Sequence, residues 1–137
     1  MPTYPFYKLP SIKGKPVLKP LIPIRFGFKK THKIMPQPLL ALLDTGADAC
    51  FCSTNISSWL GINYTKCKKE KFISINNDNF FVYKTKLTFY FNKEEFTSPI
   101  YISDTLPKNF QIVLGTKGFL ERYKVILDYK NKEIKFY

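Results

Sequence analysis

Leu39-Leu40-Ala41-Leu42-Leu43-Asp44-Thr45-Gly46-Ala47-Asp48 is the stretch on which the reading of this 137-residue chain turns. Five consecutive apolar residues match the length of one strand. An unbroken apolar run predicts a strand buried on both faces. The run ends on a carboxylate, Asp44. A carboxylate at the end of a buried strand is partly desolvated, which disfavours its charged form unless it is paired or hydrogen-bonded. Thr45 adds a hydroxyl. Gly46 has no Cβ, so backbone can approach closely there or turn with positive φ. A tight turn that presents a carboxylate suits chemistry better than packing.

The flanking sequence reads as strands. Residues 1–20 hold Pro2, Pro5, Pro10, Pro16 and Pro20, which predicts an extended N-terminal arm ahead of a folded domain over 21–137. Ile22, Ile24, Phe26 and Phe28 alternate with other residues, giving a strand over 21–28, followed by a loop over 29–37. Ser53-Thr54-Asn55 can start a short helix over Ile56–Leu60 that Gly61 stops. Lys66–Lys71 is a basic loop. Phe72, Ile73 and Ile75 lead into the turn cluster Asn76-Asn77-Asp78-Asn79. Beyond it Phe81, Tyr83, Leu87, Phe89 and Phe91 share one strand face while Lys84, Lys86 and Thr88 take the other, so 71–91 reads as a hairpin. Strands follow at 96–103 and 111–114, then a short helix within 115–122. A C-terminal hairpin carries Val125, Leu127 and Tyr129, then Ile134 and Phe136. Many short strands with two short helices predict a mainly β, mainly antiparallel barrel or sandwich.

Composition narrows the function. The length suits one domain. No apolar run approaches the ~20 residues of a membrane span, so no membrane partner is expected. The N-terminus lacks the pattern of a signal peptide, which makes cytoplasmic the default compartment. The one histidine, His32, sits in a basic stretch and reads as a surface-loop residue; no Gly-x-Ser-x-Gly accompanies it. Cys50, Cys52 and Cys67 have neither zinc spacing nor an even count, so they read as structural thiols, and no metal is expected. Cys50 and Cys52, two apart on a strand, point to one side and are expected to pack under the Asp44 loop. No phosphate-binding glycine motif is present, and no cofactor is expected. With 22 Lys plus Arg against 10 Asp plus Glu, the net charge is +12. The lysines are spread along the chain and many alternate with apolar residues, so no specific nucleic-acid binding is expected.

Among the ten carboxylates Asp44 stands apart by context, and there the chain resembles a known family. Leu42-Leu43-Asp44-Thr45-Gly46-Ala47-Asp48 is similar to the active-site loop of the retropepsin-like aspartic proteases. Ile112-Val113-Leu114-Gly115 followed by Phe119-Leu120 resembles the family's hydrophobic-Leu-Gly segment. Tyr123 to Tyr129, with Ile134 and Phe136, resembles the closing strands of cellular and bacterial members. The hairpin at 71–91 falls where the family has its flap, without the glycine-rich tip of viral members.

The resemblance implies a closed β barrel with one or two short helices and a single lobe per chain. It implies an aspartic endopeptidase in which two carboxylates share one proton. The chain has one Asp-Thr-Gly. Asp104-Thr105 is followed by Leu106, which denies close backbone approach, so Asp104 reads as a strand-end loop residue. The second aspartate is then expected from another copy in a two-fold homodimer. On this reading Asp44 is catalytic, and Thr45 and Gly46 support the loop. Ala47, Asp48, Ile75, Asn76 and Asn77 contact a polypeptide substrate; for Asp48 a salt bridge to a nearby Lys or Arg is the competing role. The alternative is a weakly active or inactive retropepsin-like dimerisation or peptide-binding module.

Overall fold

The structure, a computed structural model, describes residues 2–10, 14–73, 76–106 and 109–137. In chain order its elements are β1 (Thr3–Pro5), β2 (Tyr7–Pro10), β3 (Pro16–Lys19), β4 (Leu21–Phe28), β5 (Lys33–Ile34), β6 (Leu39–Leu43), β7 (Phe51–Ser53), α1 (Thr54–Trp59), β8 (Lys68–Ile73), β9 (Asn79–Phe91), β10 (Glu94–Ser103), β11 (Ile112–Leu114), β12 (Val125–Asp128) and β13 (Glu133–Phe136). Single 3-10 turns lie at Tyr64–Lys66 and Leu120–Arg122.

The main sheet runs β5-β4-β6-β11-β7-β10-β9-β8, and a further pairing of β4 with β9 closes six of its strands on themselves. The result is a mainly β, closed six-stranded barrel in one small domain. Most neighbours are antiparallel, but β10–β7 and β11–β6 are parallel. A second sheet, β1-β13-β12, ties the first residues to the last, with Thr3 opposite Lys135. β2 and β3 form a two-stranded ribbon.

Alternating residues fill the interior. Ile22, Ile24 and Phe26 of β4 meet Leu87, Phe89 and Phe91 of β9 and Ile100 and Ile102 of β10. Phe26 and Phe89 pack edge to face at 4.8 Å, and Phe119 joins from the other side, 6.5 Å from Phe89. α1 begins where Ser53 accepts a hydrogen bond from the Ile56 N–H, a side-chain cap of the kind the sequence predicts.

Several expectations need correction. β6 is not buried on both faces: Leu39 and Leu40 are 37% and 39% exposed. Its neighbour β11 reaches only Leu42 and Leu43, so the first residues of β6 have β4 alone beside them. The loop after β4 contains the short β5, which pairs with Gly27 and Phe28. β8 starts at Lys68, inside the expected basic loop; its lysines are tolerated because they stay in solvent. Thr88, assigned to the polar face of β9, is buried where β4 crosses, opposite Gly27. Phe81, assigned to the apolar face, is 48% exposed beneath the Lys69 ammonium. Instead of a helix over 115–122 there is one 3-10 turn, Leu120–Arg122, preceded by Gly118 at φ +102°.

Phe89→Ala is expected to lower unfolding stability by about 3–5 kcal/mol, since it empties the centre of the ring cluster. Phe81→Ala is expected to cost less than about 1 kcal/mol. Urea titrations of the two variants check both.

Candidate active site

β6 delivers Asp44 to the rim of the barrel. The half-buried Asp44 is followed by exposed Thr45 and Gly46, half-buried Ala47 and exposed Asp48. Asp44 Oδ1 accepts the Gly46 N–H at 2.9 Å, and Ala47 N–H closes the turn on Asp44 O at 3.1 Å. Gly46 stands in close approach to the carboxylate: a Cβ on it would lie 3.3 Å from Asp44 Oδ1.

The loop is laced to the end of β11. Asp44 N–H donates to Leu114 O at 3.0 Å, Thr116 N–H to Ala47 O at 2.9 Å, and Lys117 N–H to Asp48 O at 2.9 Å. Gly115 lies at the centre of this lacing. A Cβ there would run into the carbonyl oxygens of Ala47 and Ala49. The Leu-Gly pair and the Asp-Thr-Gly triplet, 69 positions apart from Gly46 to Gly115, are thus two halves of one backbone unit.

Cys50 and Cys52 are fully buried, and Cys50 lies beneath this unit. Cys50 Sγ lies 3.6 Å from Lys117 O. Burial pushes the Cys50 thiol up to about 11 and the Cys52 thiol up to about 12, from 9.0. Both therefore stay protonated while the thiols of an unfolded chain ionise.

The remaining predicted residues divide between elements. Among the described residues Asp48 has no ion-pair partner, and the one salt bridge is Lys135–Glu133. Asn76 and Asn77 are exposed at the tip of the β8–β9 hairpin, and Asn77 takes φ +63°, as a turn asparagine can. Ile75 lies outside the described residues. Among the described residues no group of three His, Cys, Asp or Glu side chains is placed to hold a metal ion. No helix is long and apolar enough to cross a membrane.

Two features beside the loop escaped sequence reading. The first is an apolar groove of about 400 Å³ lined by Leu43, Thr45, Leu120, Tyr123, Val125 and Leu127. The Tyr123 hydroxyl is buried, with no hydrogen-bond partner among the described residues. Burial, reinforced by Glu94 and opposed by Arg122, pushes it up to about 12. The second is a row of directly opposed residues across the sheet: Leu42, Val113, Phe51, Tyr101, Lys84 and Lys68. Opposed residues share a face, and residues two apart on a strand share it too. Asp44, two beyond Leu42, continues this face at the strand end. Phe51, Phe72, Phe80 and Tyr101 pack together on it, with ring centroids 5.0–6.4 Å apart. No local pattern marks these residues, because their neighbours come from strands distant in sequence.

Two outcomes check this geometry. Gly115→Ala is expected to destabilise the protein by about 1–3 kcal/mol or more, read from urea unfolding, because the new methyl meets backbone that cannot swing aside. Native alkylation at pH 8 is expected to modify Cys67 alone, with all three cysteines reacting in denaturant. Stability is also expected to fall as pH rises from 9 toward 11–12, because the unfolded chain releases thiol protons that folded Cys50 and Cys52 retain.

No protein-family model matches the sequence, and no curated protein matches it. Solved structures do resemble it. A retropepsin-like aspartic protease from Rickettsia conorii is similar with a TM-score of 0.62 and 16% identity, over 98% of this chain and 98% of that one. The retroviral protease-like domain of Ddi1 from Leishmania major is similar with a TM-score of 0.52 and 11% identity, over 88% of this chain and 94% of that one. The closed barrel, with its laced Asp-Thr-Gly loop, has the fold of the retropepsin-like aspartic proteases.

Proposed function

We propose that the chain is an aspartic endopeptidase active as a homodimer, each copy giving Asp44 to one shared site. The observation that carries this reading is the Asp44 loop itself. Its carboxylate is held by the Gly46 N–H and its backbone is fixed to Leu114–Lys117. A packing residue has no need of such a frame.

One chain supplies one such loop. Asp104 is exposed past the end of β10 and has no comparable frame. Two loops related by a two-fold axis bring the carboxylates together, and two carboxylates about 3 Å apart cannot both ionise. The ionised member takes a proton from water, and the resulting hydroxide attacks the scissile carbonyl carbon. The protonated member donates to the carbonyl oxygen. The tetrahedral adduct collapses as the first carboxyl gives its proton to the amide nitrogen, the second takes one back from a hydroxyl of the adduct, and the C–N bond breaks. Thr45 braces one loop against the other, and Asp48 and the hairpin tip contact the bound peptide.

The groove beside Thr45 supports a partner at that position. It is apolar, open, and rimmed by β12, which is an edge strand of its sheet. Val125 and Leu127 on that strand face into it. A second copy seated there would cover these side chains and continue into the Asp44 loop.

The test is peptide cleavage by the purified chain from mildly acidic to neutral pH. Asp44→Asn is expected to reduce kcat by about a thousandfold or more while leaving unfolding stability nearly unchanged. Equal activity in the variant contradicts the reading. Peptide binding without turnover, indifferent to Asp44→Asn, supports a peptide-binding module instead.

A further inference from the structure

The face that carries Asp44 ends in a concentration of positive charge. Lys30, Lys66, Lys68, Lys84 and Lys86 line one pocket of about 440 Å³ together with Phe28. They arrive from four places: the β4–β5 loop, the 3-10 turn at Tyr64–Lys66, β8 and β9. All five are exposed. A second pocket shares Phe28 and adds Lys29, His32 and Lys33. No Asp or Glu lines either pocket. The one acid close by on this face, Glu70, is directed at Tyr101, whose pKa is raised by burial and then by the Glu70 charge. Ammonium groups gathered this way repel one another, and an anionic partner relieves that repulsion.

We infer that this lysine pocket is a docking site for an acidic segment of a polypeptide, lying on the same face as the Asp44 loop. Three observations favour a polypeptide over a nucleic acid. Lys68 and Lys84 belong to the row of opposed residues that runs through Tyr101, Phe51 and the buried Val113 to Leu42, so pocket and loop lie along one apolar and aromatic sheet face. The pockets hold lysine and no arginine, and arginine is the side chain suited to bidentate phosphate recognition. The aromatic rings along the row pack against one another, so they are not free platforms for stacked bases.

The spacing sets the geometry of the partner. Four strand steps separate Leu42 from Lys84, roughly 19 Å along the sheet at ~4.8 Å per step. About six extended residues span that length. The acidic residues of a substrate are therefore placed some six positions from the scissile bond; only this placement rests on the endopeptidase reading.

The test is binding, so it does not depend on turnover. The probes are a fluorescein-labelled peptide ending in a run of glutamates, the same peptide with glutamines, and a single-stranded oligonucleotide of matched charge. Each is titrated by fluorescence anisotropy into the Asp44→Asn protein. The variant with Lys66, Lys68, Lys84 and Lys86 all changed to Gln is compared with one carrying the same change at Lys8, Lys15, Lys19 and Lys130, which are exposed positions on other elements. Both sets lower the net charge equally, and thermal melts confirm that both fold. The pocket variant is expected to bind the glutamate peptide about tenfold more weakly or worse. The control set is expected to change it less than about twofold, and the glutamine peptide is expected to bind neither protein measurably. Equal weakening in the two sets overturns the proposal, because the attraction is then merely the net charge. Tighter binding of the oligonucleotide through the same four lysines overturns it in favour of a nucleic-acid surface. Failure of the unaltered chain to cleave peptides counts against the endopeptidase and leaves this comparison intact.

Discussion

Three backbone hydrogen bonds hold the Asp44 loop against the end of β11, from the amides of Asp44, Thr116 and Lys117. The proposed chemistry depends on that lacing. It requires parallel pairing of β6 with β11, since the first bond extends the Val113–Leu42 and Leu114–Leu43 register by one residue. It requires glycine at 115, where the two backbones touch. It also requires a filled space beneath, which Cys50 supplies as a small buried side chain. The barrel acts as the clamp that keeps these segments in register, and the carboxylate is aimed by main chain rather than by a mobile side chain.

On the proposed homodimer reading, one copy holds half of the site. Asp44 receives its hydrogen bond from its own loop, whereas Asp128 and Glu121, which also accept backbone N–H groups, do so within local turns. The apolar groove beside Thr45 and the edge strand β12 lie on the flank where a second loop would have to come. On that reading, completing the proposed site and covering the adjoining apolar surface are the same event. Charge enters at the other end of the face, where the lysines of β8 and β9 are positioned to act on a bound chain well away from the carboxylates.

Much of this is written locally in the sequence. The period-two pattern of Ile22, Ile24, Phe26 and Phe28 marks β4, Ser53 marks the start of α1, and the asparagine cluster marks the hairpin turn. Asp44-Thr45-Gly46 and Leu114-Gly115 are each visible as motifs. What local pattern does not carry is which strand lies beside which. The exposure of Leu39 and Leu40 follows from how short β11 is. The burial of Thr88 follows from β4 crossing β9. The row from Leu42 to Lys68 and the groove under Tyr123 exist only once six distant segments are paired. A run of apolar residues states how greasy a strand is, and its neighbours decide how much of it is covered.

The shared active site is tested most directly by mixing unaltered and Asp44→Asn chains, letting them exchange, and measuring peptide cleavage against the fraction of variant. With one aspartate from each copy, activity falls as the square of the unaltered fraction, so an equal mixture retains about a quarter. A linear fall, with about half the activity retained, would mean that a single chain completes the site alone and would contradict the account.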